Sequence, residues 1–349
     1  MGNVTTIAID LAKRVFQVAG EDALGEEQWQ KRLSSREAFT AFIQTLEPPL
    51  VVAMEVGLGA QAWARALQAR GLTVRLLPAQ RVAEHRSGAK NDRNDVRAIL
   101  RANRDASIHP VPVKTVEQLT MQALHRVRGG WIRRKTALGN QMRGLLLEHA
   151  VAMAKGDAAL GQALEHLDSV PLPARLRELV DELAGEWQGL IGRLAALDAE
   201  LARLARSDPL ARRLASTPGV GPITATAMVC KTLDPERFAN ARQFAAYFGL
   251  VPDQHSSGER VRLDHLSRRG DRYLRSLLIN GAHAVLRTTR SDASDPDRKR
   301  LLRWLERHGR KGAAVRLANR NLRVMWTLVQ RQCDYHRAHH LTRSISHRA

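Results

Sequence analysis

Cysteine is scarce in this chain, with only Cys230 and Cys333 among 349 residues. The two lie far apart and without CxxC spacing, so neither a disulfide framework nor a zinc module is indicated. No apolar run approaches the roughly 20 residues that span a bilayer, and the N-terminus has no cleavable signal pattern. A Walker-type glycine loop for nucleoside triphosphates is also missing. These absences predict a cytoplasmic protein with no membrane partner.

Acidic residues are in short supply relative to basic ones. The chain has 55 Lys and Arg against 35 Asp and Glu, a formal net charge of +20. Such an excess favours a polyanionic partner, and nucleic acid is the first candidate. A hydrophobic content of 44% is sufficient for folded cores, and the length suggests two compact units with an extended part between them.

The N-terminal third alternates strand and helix patterns. Three β-rich stretches come first and predict an antiparallel meander, whereas the later strands are joined through helices. We therefore predict an α/β domain with a mixed sheet over residues 1–114. Its predicted strands cover residues 4–10, 15–19, 28–33, 50–55 and 73–77, and its first helices cover 34–46 and 60–69.

Long helical patterns follow over residues 115–206. Leucines recur there at spacings of three and four residues, as a narrow apolar seam requires, at positions 190, 194, 197, 201 and 204. An intramolecular helix pair and a dimerising coiled coil both account for this seam. We predict a mostly α-helical domain over residues 207–333 and a basic, His-rich tail over 334–349.

Four acidic residues stand at positions where a fold can bring them together. Asp10 and Glu55 each end a predicted strand, and Asp92 and Asp95 lie on one face at the start of a predicted helix. Four converging carboxylates repel one another unless a cation lies among them, and hard oxygen ligands select Mg2+ or Mn2+. Taken singly, each acid has an ordinary explanation as a turn or helix-cap residue. The combination predicts a metal site suited to phosphoryl transfer.

A glycine-rich turn, Pro218-Gly-Val-Gly-Pro222, precedes another helical stretch. It resembles the turn of a helix-hairpin-helix, in which glycines let backbone amides approach a phosphate. Gly219 and Gly221 are therefore predicted DNA-backbone contacts. Simple packing between two helices is the alternative explanation.

A serine pair, Ser256 and Ser257, precedes Gly258 in a basic segment. A serine hydroxyl can attack phosphorus if its proton is removed and nearby cations stabilise the developing charge. An ordinary polar loop is the alternative. The cations predicted to contact nucleic acid are Arg260, Arg262, Arg268, Arg269 and Arg272.

These motifs together, in this order, resemble the DEDD-type transposases of bacterial insertion sequences that form the "one-ten" family. The resemblance rests on the four acids, the Pro-Gly-Val-Gly-Pro turn, Tyr247-Phe-Gly-Leu-Val-Pro252, Ser257-Gly258 and Leu266-Ser-Arg-Arg-Gly-Asp-Arg-Tyr-Leu-Arg275. It covers nearly the whole chain. One departure is Ser-Arg-Arg-Gly, where the family commonly has Ser-Lys-Arg-Gly, and this change preserves the charge.

The resemblance implies an RNase H-like (RuvC-like) first domain, a coiled-coil middle and a C-terminal transposase domain with a nucleophilic serine. By position that serine is Ser257, with Ser256 as the alternative. Members of the family act on DNA, are guided by a structured bridge RNA and assemble as oligomers, here expected to be a dimer or tetramer. No further cofactor is expected.

Two other functions remain open at the level of the sequence. In a structure-selective nuclease of the RuvC-like kind, metal-activated water would be the nucleophile and Ser257 would only contact DNA. In a non-catalytic nucleic-acid binding protein, the four acids would be caps and turns. Covalent trapping distinguishes the first from a transposase, and metal-dependent cleavage excludes the second.

Overall fold

The computed structural model describes residues 3–11, 14–88, 91–231, 234–254, 263–267, 270–289 and 295–336. The chain forms two compact units, Met1–Val116 and Glu117–Ala349. The helices of the predicted middle region thus belong to the same unit as the C-terminal helices. A finer division of that unit stays a prediction.

The first unit is built on a five-stranded mixed sheet with strand order β3-β2-β1-β4-β5. Pairs β1-β2 and β2-β3 are antiparallel, and pairs β1-β4 and β4-β5 are parallel. This confirms the predicted α/β domain with a mixed sheet. The elements are β1 (Val4–Leu11), β2 (Phe16–Asp22), β3 (Glu27–Leu33), α1 (Arg36–Gln44), β4 (Val51–Glu55), α2 (Ala60–Gln68), β5 (Thr73–Leu77), α3 (Ala79–Glu84) and α4 (Asp92–Arg104).

The two faces of this sheet carry side chains of different size. Large residues such as Ile7, Ile9 and Met54 cover one face and share a core with α1 and α2. On the other face Ala8 is paired with Ala19 on one side and with Ala53 on the other. These three alanines share a core with buried residues of α4. Because alanine is short, α4 can lie close to the strands along this row.

The second unit is mainly helical, with one two-stranded antiparallel sheet. Mostly helical structure was predicted there. The two short strands were not predicted, because no alternating pattern marks them in the sequence. None of the helices that the described residues form is long and apolar enough to cross a membrane. The elements are α5 (Val116–Leu147), α6 (Asp157–Glu165), α7 (Ala174–Ser207), α8 (Pro209–Ala215), α9 (Pro222–Val229), α10 (Ala241–Tyr247), β6 (Pro252–Gln254), β7 (Leu263–Leu266), α11 (Arg272–Thr288) and α12 (Pro296–Arg331).

The long helices α5 and α7 pair antiparallel within one chain. Arg128 of α5 forms an ion pair with Asp198 of α7, with Nε and Oδ1 2.5 Å apart. Further along α5, Gly139 lies beside Trp187, which is nearer the start of α7. Four of the five leucines of the apolar seam are buried within the chain, with Leu190 and Leu194 both 8% exposed, and Leu204 is half-buried. An intramolecular helix pair therefore accounts for the seam.

Candidate active site

The sheet register brings Asp10 and Glu55 to the same edge. Ile9 of β1 is paired with Met54 of the neighbouring parallel strand β4, so the next residues of both strands are the two acids. Asp10 lies two residues after Ala8, and Glu55 lies two residues after Ala53. Since side chains alternate along a strand, both acids lie on the alanine face, where α4 packs.

The start of α4 carries the other two acids. Asn91 is the N-cap, and its side-chain oxygen accepts a hydrogen bond from the backbone N–H of Asn94 at 2.9 Å. Asp92 and Asp95 lie in the first turn and do not serve as the N-cap. Arg97 fixes the helix to β3 through two hydrogen bonds to the Glu27 carboxylate, at 2.7 and 3.0 Å. The N-cap of α4 is therefore Asn91, and capping does not explain Asp92 or Asp95.

Electrostatic coupling links Asp10 to the acids of α4. Burial raises the pKa of Asp10, and the negative charges of Asp95 and Asp92 raise it further, whereas Arg86 acts in the opposite direction. Arg86 is also the cation in contact with Asp95, with Nε and Oδ1 2.6 Å apart. The approach lacks the angle of a hydrogen bond and is an ionic contact. We call Asp10, Glu55, Asp92 and Asp95 the acidic corner.

The donor chemistry of the acidic corner fits a hard divalent cation. All four groups are carboxylates, and like charges sufficiently close to raise the pKa of Asp10 are stabilised by a cation placed among them. Over the described part of the chain, no three His, Cys, Asp or Glu side chains are grouped closely enough to hold one ion. The charges of Asp10, Asp92 and Asp95 are nevertheless coupled, and Arg86 is the cation beside Asp95.

Contacts within the second unit fix the glycine turn that precedes α9. Gly219 has a φ of +83°, and a Cβ added there would lie 2.8 Å from the carbonyl oxygen of Gly281 in α11. Asn321 donates a hydrogen bond from Nδ2 to the carbonyl oxygen of Pro218 at 2.8 Å. Close packing thus accounts for glycine at 219. A Cβ at Gly221 would meet nothing within 4 Å, and a phosphate contact by either glycine stays a prediction.

The predicted serine segment falls mostly outside the described residues. Those outside are Ser256, Ser257, Arg260, Arg262, Arg268 and Arg269. Arg272 is described, and it is the exposed first residue of α11. Asp271 caps this helix by accepting the backbone N–H of Leu274 at 3.0 Å, and Lys231 forms an ion pair with Asp271 at 2.5 Å.

A buried polar network in the second unit was not predicted from the sequence. His125 of α5 is within hydrogen-bonding distance of the Tyr273 hydroxyl at 3.1 Å and of Thr226 Oγ1 at 3.0 Å. Burial lowers the pKa of His125 to about 4, and the charge of Arg128 contributes in the same direction. We call His125, Thr226, Tyr273, Arg128 and Asp198 the His125 network.

No local pattern reveals the His125 network, because His125 and Tyr273 are 148 residues apart in sequence. The network joins α5 and α9 to the start of α11, the helix that begins with Arg272. The Arg86 contact was missed for a similar reason, since Arg86 precedes α4 in a stretch without helical periodicity.

Two family profiles match this chain. The profile of the Transposase IS116/IS110/IS902 family matches residues 211–296. A transposase profile for DEDD enzymes of the IS110 kind matches residues 7–151, which include all four residues of the acidic corner. The second profile supports the sequence-based choice of the N-terminal domain as the DEDD domain.

Individual relatives are similar over nearly their whole length. A probable family 20 transposase of Pseudomonas aeruginosa is 41% identical, and the match covers 95% of this chain and 99% of the relative. The transposase for insertion sequence element IS1111A of Coxiella burnetii is 36% identical, covering 96% and 92%. The transposase for IS1328 of Yersinia enterocolitica is 34% identical, covering 94% and 97%.

Proposed function

This chain belongs to the IS110/IS116 family of DEDD transposases, and from that premise we propose that it cuts and rejoins the DNA of an insertion sequence through a covalent serine intermediate. The family is one of DNA transposases that depend on a divalent metal. The observation that supports the metal part of the proposal is the coupling of Asp10 to Asp92 and Asp95.

We assign the first unit to the RNase H-like, RuvC-like class. Its strand order β3-β2-β1-β4-β5, with an antiparallel meander followed by two parallel strands, supports this assignment. In such a domain the acids at the ends of β1 and β4 and at the start of α4 would hold the ion. Mg2+ or Mn2+ bound there would polarise a phosphate oxygen and stabilise the charge that develops at phosphorus. Asp10, Glu55, Asp92 and Asp95 would bind and orient it.

Ser257 is the proposed nucleophile, with Ser256 as the alternative. A bond forms between Ser257 Oγ and phosphorus, the hydroxyl proton leaves, and the bond from phosphorus to one strand oxygen breaks. That strand oxygen takes up a proton. A hydroxyl from a second strand then attacks the phosphoserine, which joins the strands and restores the serine. Because one phosphate ester replaces another at each step, no ATP is required.

Arginines of the serine segment are proposed to contact the DNA phosphates. Arg272 supports this role, because it is exposed at the start of α11. The other members are Arg260, Arg262, Arg268 and Arg269. A structured guide RNA and a dimeric or tetrameric assembly complete the proposal, and both rest on the family resemblance of the sequence.

The test incubates purified protein with Mg2+, element-end DNA and the RNA transcribed from its flank. Protein-linked DNA is then measured on denaturing gels for the wild type, Ser257→Ala, Ser256→Ala and Asp10→Ala. We expect the covalent product to be lost in Ser257→Ala and in Asp10→Ala and kept in Ser256→Ala. Loss in Ser256→Ala alone would move the nucleophile by one residue.

The same experiment distinguishes the alternative function, a RuvC-like structure-selective nuclease. In that enzyme, cleavage would survive Ser257→Ala and disappear with Asp10→Ala, and no DNA would remain attached to protein. Omission of the RNA tests the guide separately. Equal yields of covalent product with and without RNA would contradict the guided mechanism and leave serine catalysis intact.

A further inference from the structure

Helix α12 carries a large share of the positive charge of the chain. Its 36 residues include eleven Lys and Arg against two acids, a net charge of +9 out of +20. Helix α7 is of similar length, with 34 residues, yet its five Arg face six acids. An excess of basic residues is therefore not required for a long helix in this fold. The excess on α12 must have another cause.

Six of the basic residues of α12 are exposed and form no ion pair with the described residues. We define the basic ridge as Lys299, Arg303, Arg307, Arg310, Lys311 and Arg316, all of which are exposed. Across the described parts of the chain, none of the six forms an ion pair. Arg and Lys on other elements do find acids, such as Arg97 with Glu27 and Arg175 with Glu178. The ridge is thus a concentration of unneutralised cations.

One acid of α12 is turned away from the basic ridge. Asp297 accepts hydrogen bonds from Arg320 at 3.0 and 3.1 Å, and from the Tyr335 hydroxyl at 3.2 Å. Arg300 approaches the same carboxylate at 3.6 Å. Asp297 is therefore neutralised within the unit, which leaves Glu306 as the one exposed acid of this helix.

Three members of the basic ridge lie on one face of the part of α12 that precedes Gly309, where the helix is kinked. Lys299, Arg303 and Arg307 are four residues apart, so they follow one another along the same side at a rise of about 6 Å per step. The opposite side of the helix contributes Leu301 to the core of the unit. The cations consequently project from a face that the protein itself does not cover.

We propose that the basic ridge of α12 is a contact surface for the phosphate backbone of duplex DNA. Charge complementarity selects a polyanion, and membership of a transposase family makes DNA the substrate. The major groove of B-form DNA admits an α-helix, whereas the deep, narrow groove of A-form RNA does not. The proposal is independent of the serine chemistry and of the acidic corner.

The test compares two triple variants that remove the same charge. Lys299→Gln, Arg303→Gln and Arg307→Gln are combined in the ridge variant. Arg193→Gln, Arg203→Gln and Arg206→Gln are combined in the control variant, since these residues of α7 are also exposed. Fluorescence anisotropy of labelled duplex DNA measures the dissociation constant over a series of salt concentrations for the full-length proteins.

The ridge variant should bind duplex DNA at least about tenfold more weakly. Its plot of log affinity against log salt should lose about 2.7 in slope, because each phosphate contact contributes about 0.9. The control variant should change the slope by less than about 1. A third protein, with Lys299→Arg, Arg303→Lys and Arg307→Lys, should keep the wild-type slope because it keeps the charge, and thermal unfolding of all three variants checks that they are folded.

Three outcomes would overturn the proposal. Equal losses in the ridge and control variants would mean that only net charge matters. An unchanged slope in the ridge variant would mean that no phosphate lies on the ridge. Weaker binding to an RNA duplex of the same sequence, with DNA binding intact, would assign the surface to RNA.

Discussion

The acidic corner of the first unit and the His125 network of the second both gather polar and charged side chains, but their charges are balanced differently. In the His125 network Arg128 hydrogen-bonds the Asp198 carboxylate at 2.5 and 3.1 Å, and the uncharged His125 lies between two hydroxyls. In the acidic corner, like charges raise the pKa of Asp10, with Arg86 as the opposing cation.

The difference shows how structural and functional clusters are told apart. Buried polar groups that have complementary partners stabilise the fold and do not require a ligand. Carboxylates that repel one another weaken the fold, and they persist where a cation or a substrate compensates. The next experiments ask whether this contrast holds.

Asp10→Asn has the largest expected effect. Loss of a metal-binding carboxylate should lower DNA strand transfer by at least about a hundredfold, since even outer-shell partners of metals contribute 10- to 100-fold. The thermal unfolding midpoint should not fall, because the substitution removes a charge that its neighbours repel. Strand transfer and thermal unfolding are measured on the same preparations.

Glu21→Gln is the matched control for Asp10→Asn. Burial raises the pKa of Glu21 too, and this residue lies on β2 of the same sheet, outside the acidic corner. Strand transfer should therefore be kept. A similar loss of activity in both variants would mean that any buried acid of the sheet is needed for folding, and the contrast between the two clusters would fail.

The pH dependence of stability should reveal the His125 network. Burial lowers the folded pKa of His125 to about 4, below the ordinary value of 6.5. The unfolded chain therefore takes up the proton first, so the stability contributed by neutral His125 is complete above pH 6.5 and is lost as the pH falls towards 4. Between pH 7 and pH 5 this loss amounts to about 2 kcal/mol.

Urea unfolding of the wild type and of His125→Gln at pH 7, 6 and 5 measures this loss. Glutamine does not titrate, and all other titrating groups are common to both proteins. The free-energy difference between them should therefore change with pH by about 2 kcal/mol. Parallel pH profiles would mean that His125 is protonated with an ordinary pKa.

Most of the fold could be predicted from the sequence, because its signals are local. The apolar run of β1, the cap at Ser35 and the glycines around α2 each determine an element through neighbouring residues. The sequence did not determine whether β1 and β4 are neighbours, and the register shows that they pair in parallel and that Asp10 and Glu55 lie at one edge. Strand ends and a helix start were the basis for choosing the four acids, and their joint role in holding an ion stays a prediction.

The remaining features depend on contacts that no local pattern contains. Ala8, Ala19 and Ala53 read as ordinary strand residues until the register aligns them under α4. The leucine seam of α7 left two interpretations open, because periodicity describes one face of a helix without saying which chain covers it. Arg86 and His125 meet their partners only after the units fold.

His125→Leu should have a smaller effect than the pH change. It removes the ring partner of Tyr273 and Thr226, but Thr226 keeps its acceptor, the carbonyl oxygen of Pro222 at 2.9 Å. The expected loss is about 1 kcal/mol in the free energy of unfolding. His125→Gln, which retains a donor and an acceptor, should recover at least half of this loss in urea unfolding at pH 7. Equal losses in the two variants would indicate that ring volume, and not hydrogen bonding, matters.

Arg86→Gln is the finest test of the contrast, because it removes the cation that touches the acidic corner. The ion pair of Arg86 with Asp95 is partly exposed, with the two side chains 27% and 17% accessible. A divalent ion must compete with this guanidinium for the Asp95 carboxylate, so its removal should tighten binding of Mn2+ by up to about fivefold, or ~1 kcal/mol. Titration of free Mn2+ by electron paramagnetic resonance measures the affinity without DNA or turnover. Arg81→Gln removes the same charge from an arginine paired with Glu84, and should leave the affinity unchanged. If Arg86→Gln weakened Mn2+ binding, Arg86 would have to orient Asp95 for the ion, and the acidic corner would be a partly balanced cluster after all.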